Sequence, residues 1–247
     1  MIYDFIDFST QDGVAIIALN RPDKRNAINV QMAEELAHAF SQFDQSDARV
    51  AVLASNDDRL FSAGADLFDP PEAAWRAIPE IGFRTDKPIV AAINGRAIGL
   101  AVILASMCDF LVVSEDTLLH YPEAQLGFSI GAVSAIANRL PVRVAMELML
   151  LGDPIPGTRM FEIGFANRLV TPGKERAEAI VMARRLAANA PLVVQGLKRM
   201  SLDVLGDAPI QTHFAVRRFG SQMMDSEDAK RGLEAFRNKT TPVFVGR

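Results

Sequence analysis

Three short stretches of this sequence combine residue types that could act on a carbonyl compound. Ala63-Gly64-Ala65 is a run of small residues, past which backbone N–H groups can reach a ligand without side-chain obstruction. Gly99-Leu100-Ala101 opens an apolar helical segment, and the first N–H groups of a helix are unpaired and favour negative charge. If both sources of N–H meet on one oxygen they form an oxyanion hole, useful wherever a carbonyl gains negative charge. Glu123, directly after Pro122, supplies a carboxylate that could move a proton beside it. Taken singly these signals are weak, because small residues before a helix usually serve packing and a loop glutamate is usually solvated.

The surrounding pattern supplies elements to position them. Tyr3 to Phe8 and Val14 to Leu19 flank the turn Gln11-Asp12-Gly13 and read as a hairpin, followed by a polar loop from Asn20 to Asn26. Ala33, Leu36, Ala37 and Phe40 recur at helical spacing between Val30 and Phe43. The apolar runs Val50 to Ala54, Ile89 to Ile93 and Phe110 to Val113 read as strands separated by helical segments, which implies crossover units and a mostly parallel sheet. Residues 55–80 read mainly as a long loop of the kind that carries function. Helical patterns follow at Arg143 to Leu151, Glu175 to Ala190, Val193 to Leu205 and roughly Pro209 to Phe236. The expected division is a core over residues 1–190 and a helical region over 191–247.

Composition narrows the function. With 26 Lys and Arg against 30 Asp and Glu the net charge is −4, which argues against nucleic acid as a partner. The single Cys108 cannot form an internal disulfide, and His38, His120 and His213 have no metal-ligand spacing, so a reducing compartment and no metal are expected. The acidic N-terminal stretch does not read as a signal peptide, and the apolar run from Ala97 to Cys108 is shorter than the ~20 residues of a membrane span. A cytoplasmic protein without membrane contact is expected. Gly127-Phe128-Ser129-Ile130-Gly131 matches G-x-S-x-G but lacks the apolar strand a nucleophile elbow needs. Asn238-Lys239-Thr240 is a glycosylation acceptor only in a secreted chain, and no phosphate-binding loop supports nucleotide chemistry.

In order and spacing, four motifs together are specific. N-R-P-x-x-x-N-A stands at Asn20 to Ala27, A-G-x-D at Ala63 to Asp66, N-G-x-A-x-G at Asn94 to Gly99, and P-E-x-x-L-G at Pro122 to Gly127. The chain resembles the crotonase superfamily, the enoyl-CoA hydratases and isomerases, over nearly its whole length. The resemblance implies an α/β fold, a spiral of ββα units forming two near-perpendicular sheets, with C-terminal helices that build homotrimers or dimers of trimers. It implies an acyl-CoA thioester as substrate and no cofactor beyond the coenzyme A that the substrate carries. It assigns the oxyanion hole to the N–H groups of Ala65 and Leu100, phosphate contact to Arg25, and adenine contact to the backbones of Ala27, Ala63, Asp66 and Leu67.

The departures from that resemblance bear on the reaction. Typical hydratases of the family carry two glutamates; here the first falls on Ile103, and Leu100, Ala101 and Val102 replace the usual glycines and small residue. The second acid of dienoyl-CoA isomerases falls on Gly131. Glu123 remains as the single acid/base, and walls such as Val102 and Ile103 would raise its pKa by desolvation. One base suffices to shuttle a proton between the α and γ carbons, so double-bond isomerisation of an enoyl-CoA ranks first. Hydration with Glu123 and water is the alternative, and a non-catalytic acyl-CoA binder the second. His120 and Ser129 are the further proton-handling candidates, and Trp75, Phe83 and Phe128 suggest an apolar pocket. The Leu100 side chain is expected to narrow the acyl channel.

Overall fold

The computed structural model describes residues 2–127, 129, 132–204 and 225–245. Strands β1 (Ile6–Gln11) and β2 (Val14–Leu19) form the expected hairpin, turned at Asp12 and Gly13 with φ of 53° and 74°. Positive φ at both central residues matches the twist of the flanking strands. Strands β3 (Val50–Ser55), β4 (Ile89–Ile93), β6 (Phe110–Ser114) and β9 (Arg168–Val170) extend it in parallel, in the order β1-β2-β3-β4-β6-β9. A second sheet holds β5 (Arg96–Ile98), β7 (Leu118–His120) and β8 (Ile155–Pro156), in the order β5-β7-β8.

Alternation along the strands fills both faces of the large sheet. Val50, Val52, Ala54, Val90 and Ala92 pack on Ala179, Met182 and Ala183 of α6 (Glu175–Ala187), while Ala51, Leu53, Ile89, Ala91 and Ile93 join the main core. That core includes Met32, Leu36, Phe40 and Phe43 from α1 (Val30–Gln45), spaced by three or four residues. Asn29 caps α1 by accepting from Met32 N at 3.1 Å and donates to Asp69 at 3.0 Å, so one side chain starts the helix and holds the following loop. Helix α2 (Leu100–Ser106) is buried at every position.

Several boundaries differ from the expected ones. The loop after β2 contains a 3-10 turn at Pro22–Lys24, and the 55–80 loop another at Ala74–Ala77. A four-residue helix α3 (Glu123–Leu126) follows β7. The Arg143 to Leu151 pattern becomes α4 (Val142–Met146) running into a π turn at Glu147–Leu151. Helix α5 (Gly157–Glu162) lies between β8 and β9, and α6 ends at Ala187, ahead of the Ala190 expected. Helix α7 (Pro191–Val204) starts just beyond the expected division at 190. The helix expected from Pro209 to Phe236 falls partly on residues 205–224, which lie outside the described residues with Val216, Phe219, Met223 and Met224; its later part is the helix Glu227–Asn238. No described helix is long and apolar enough to cross a membrane.

Two polar fixtures hold this frame. Lys198 of α7 donates to Asp109 Oδ2 at 2.8 Å and to the Lys87 carbonyl at 3.0 Å, and the same Asp109 oxygen accepts from Ile89 N at 2.8 Å. The fully buried Asn26 welds the loop after β2 to the segment before Ala63. Its Oδ1 accepts from Arg21 N at 2.7 Å, its Nδ2 donates to Ser55 Oγ and Phe61 O at 2.8 and 3.0 Å, and its carbonyl accepts from Ser62 Oγ at 2.7 Å. Asn26 stands at φ 51°, a region asparagine tolerates better than most side chains. Asn26→Ala strands the part-buried Arg21 amide and the buried Phe61 carbonyl, and is expected to lower unfolding free energy by about 2–4 kcal/mol. Urea denaturation checks this, and a change below ~0.5 kcal/mol, ordinary for a surface site, would show that the loop is held by other contacts.

Candidate active site

The site is assembled by backbone pairing. Ser62 bridges Ala97 in parallel, with Ile98 N donating to Ser62 O at 3.0 Å and Phe61 N to Arg96 O at 3.0 Å. This lays Gly64 alongside the end of β5. A Cβ on Gly64 would stand 2.5 Å from Ile98 O and 3.4 Å from Leu100 N, so only glycine, here at φ 91°, permits the approach. Ala65 bridges Ile28, and the amide of Asp66 donates to Ile28 O at 2.9 Å. Neither Ala65 N–H nor Leu100 N–H donates to an acceptor among the described residues. Two unspent donors thus come from backbones in direct contact.

The parallel pairing of β5 with β7 brings in the carboxylate. Ile98 faces His120, and Gly99 N donates to His120 O at 2.9 Å. Two residues after Tyr121 the chain turns into α3, whose first residue is Glu123. A Cβ on Gly99 would lie 2.5 Å from Glu123 Oε1, and Gly99 adopts φ 54°, ψ −118°. Glycine at 99 is therefore required twice, by the backbone and by the carboxylate seated against it. Glu123 Oε2 is shut off from solvent and has no hydrogen-bond partner among the described residues. Desolvation pushes the carboxyl up to about 8, opposed only by a backbone hydrogen bond. The bland expectation of a solvated loop glutamate does not hold here.

Among the described residues no charged group contributes to the shift at Glu123. Val102 and Ile103 are fully buried, so the position of the usual first glutamate is filled by a core side chain. The Tyr121 hydroxyl lies 2.9 Å from Ser129 Oγ; burial first and the Glu123 charge second raise its pKa, which keeps it neutral. Pairing of Tyr121 with Ser129 was missed in the sequence, where eight positions separate them. His120 is held below its usual pKa by burial, and its ring interacts with the Gly152 backbone. Phe83 stacks on Phe40 with ring centroids 4.8 Å apart, and Trp75 is partly buried against the core. Phe128 and Gly131 lie outside the described residues.

The remaining candidates sit on the adjoining loops. Arg25 is exposed at φ 53°, and its carbonyl accepts from Ala63 N at 3.0 Å. The amides of Ala27, Ala63 and Asp66 are all engaged internally, and the Ala27 carbonyl takes Arg21 at 2.8 Å. Asp66 pairs with Arg21 at 2.7 Å; burial raises its carboxyl, but Arg21 and the Phe68 and Asp69 amides more than offset this and hold it below the usual range. Leu67 is half-buried beside it. An apolar void of only about 10 Å³ borders Leu100. A cleft of about 500 Å³ between α1 and Pro70–Arg76 contains none of these residues.

A family profile described as enoyl-CoA hydratase/isomerase matches residues 9–247. The chain belongs to this family. It is 32% identical over 249 residues to the carnitinyl-CoA dehydratase of Salmonella typhi, covering 94% of each chain. Among solved structures it resembles carnitinyl-CoA hydratase from Mycobacterium avium, with a TM-score of 0.89 and 29% identity over 98% of this chain and 99% of that one. It also resembles enoyl-CoA hydratase from Mycobacterium tuberculosis, with a TM-score of 0.75 and 31% identity over 98% and 99%. These likenesses bear out the crotonase fold and an enzyme of the enoyl-CoA hydratase/isomerase type acting on acyl-CoA thioesters.

The raised carboxyl of this family member makes a stability prediction. A carboxyl raised above its unfolded value of 4.5 favours folding fully below that pH, and the contribution is lost as pH rises through about 8. Glu123→Gln stays neutral, so it is expected to gain on wild type between these limits, by up to roughly 5 kcal/mol. Thermal melts at both ends of the range test this: equal gaps at both pH values would mean that the folded carboxyl titrates normally.

Proposed function

We propose that the chain interconverts a 2-enoyl-CoA and its 3-hydroxyacyl-CoA, with Glu123 as sole acid/base and the Ala65 and Leu100 N–H groups as oxyanion hole. One observation carries this reading: a desolvated carboxyl with an unpartnered oxygen set against Gly99, next to two unspent backbone donors. The names of the relatives support hydration and dehydration over the isomerisation that the sequence ranks first.

A single glutamate can complete the addition. Its carboxylate takes a proton from water as the water oxygen bonds to the β carbon, and negative charge passes to the thioester oxygen. The two N–H groups hold that enolate oxygen. The same carboxyl then returns its proton to the α carbon, which completes the addition of one water; the reverse order dehydrates. Arg25, exposed and fixed by its backbone, fits a phosphate of coenzyme A. Because the amides of Ala27, Ala63 and Asp66 are engaged, adenine contacts there would fall to side-chain edges or to free carbonyls such as that of Ala63, with Leu67 beside them. Exposed apolar residues of α7, Leu192, Val193, Leu197 and Met200, support assembly as a homotrimer or a dimer of trimers.

Isomerisation remains the second reading, favoured by Ile103 in place of a second acid. Proton NMR in D2O with a 2-enoyl-CoA and a 3-enoyl-CoA separates the two. Hydrated product from the 2-enoyl compound supports the proposal, and a shifted double bond without hydration supports isomerisation. Glu123→Gln is expected to lose the reaction by at least ~10²-fold while still binding thioester, and wild-type kcat/KM to rise with pH toward a plateau above about 8. Binding without reaction or α-proton exchange in wild type would leave only an acyl-CoA binder.

A further inference from the structure

Behind the proposed Leu100 donor, α2, α1 and the 3-10 turn at Ala74–Ala77 close on one another. Leu100 carries one of the two oxyanion donors proposed above, yet the residue is only 5% exposed. It points into an apolar junction formed with Leu104 of α2, Leu36 of α1, Ala77 and Ile78 of the 3-10 turn and its edge, and Ile28, the bridge partner of Ala65. Leu100 and Leu104 lie one turn apart and share a helix face. The space left among them is about 10 Å³, barely enough for one water and too small for a methylene. Its walls are core residues that cannot withdraw without opening a cavity elsewhere.

The four side-chain carbons of Leu100 therefore fill room that a glycine at this position would leave open. We infer that Leu100 is the residue that sets acyl length, restricting this enzyme to short acyl groups on the order of four carbons and shutting out medium and long chains. The inference rests on the acyl-CoA site proposed above and deepens it to a substrate class. Leucine reconciles two demands: its backbone keeps the donor, while its side chain ends the channel. Helical geometry at Leu100 is open to any L residue, so the donor survives the substitution.

Calorimetric titration with free CoA, butyryl-CoA and octanoyl-CoA tests it, because saturated thioesters bind without reacting. In wild type, octanoyl-CoA is expected to bind no more tightly than butyryl-CoA. In Leu100→Ala the octanoyl compound should gain at least ~10-fold and the butyryl compound change less than ~3-fold, since each methylene buried adds about fourfold. Leu104→Ala enlarges the same void while leaving Leu100 itself unchanged, and should shift the octanoyl-to-butyryl ratio in the same direction. Thermal melts of both variants verify that they are folded. A wild-type affinity climbing about fourfold per methylene, or a ratio unmoved in both folded variants, overturns the length limit while leaving the acyl-CoA site intact. If neither thioester nor free CoA binds wild type, the acyl-CoA site itself is lost, and the length limit falls with it.

Discussion

The close parallel run of the Phe61–Gly64 backbone beside β5 is the constraint on which the site depends. Main-chain hydrogen bonds set its register, and the register decides which amides end up as neighbours. Gly64 and Gly99 are the glycines beside the proposed donors where main chain meets main chain or carboxylate too closely for a Cβ. The Asn26 and Ser62 side chains fasten one of these runs, and the main-chain pairing of β5 with β7 holds the other. The placement of the two unspent donors is thus a property of backbone geometry, which tolerates side-chain change so long as the glycines stay.

That tolerance explains the unusual lining of α2. Leu100, Val102 and Ile103 make the helix apolar from Leu100 to Ala105, with Ser106 closing it. With Ile103 buried in the core and no second acid there, the carboxyl of Glu123 is raised by desolvation. A lone buried carboxyl is costly to ionise, and that cost is what makes it a strong base near neutral pH.

Much of this was legible in the residues, for physical reasons. Alternation and helical spacing gave β1 to β4, β6 and α1 because those elements bury one face against a common core. The motif stretches gave the site because glycine, proline and a following glutamate leave few backbone alternatives. What stayed hidden depended on long-range closure. Short strands such as β5, β7 and β8 carry too few residues for a period, and the π turn after α4 has no composition of its own. Engagement of the Ala27, Ala63 and Asp66 amides, and the meeting of Tyr121 with Ser129, follow from how loops fold back. Nothing in local sequence encodes them.

The Lys198 contact carries a consequence for how the molecule opens. Its ammonium neutralises Asp109, which also caps the first amide of β4, and both partners are largely removed from solvent. Detaching α7 would strand that carboxylate at the entrance of two adjacent strands, β4 and β6, one of which leads directly through β5 into Gly99. A helix that could have frayed by itself is thereby tied to the central sheet, so that its release and the loosening of the strands beneath the active site belong to one cooperative unit.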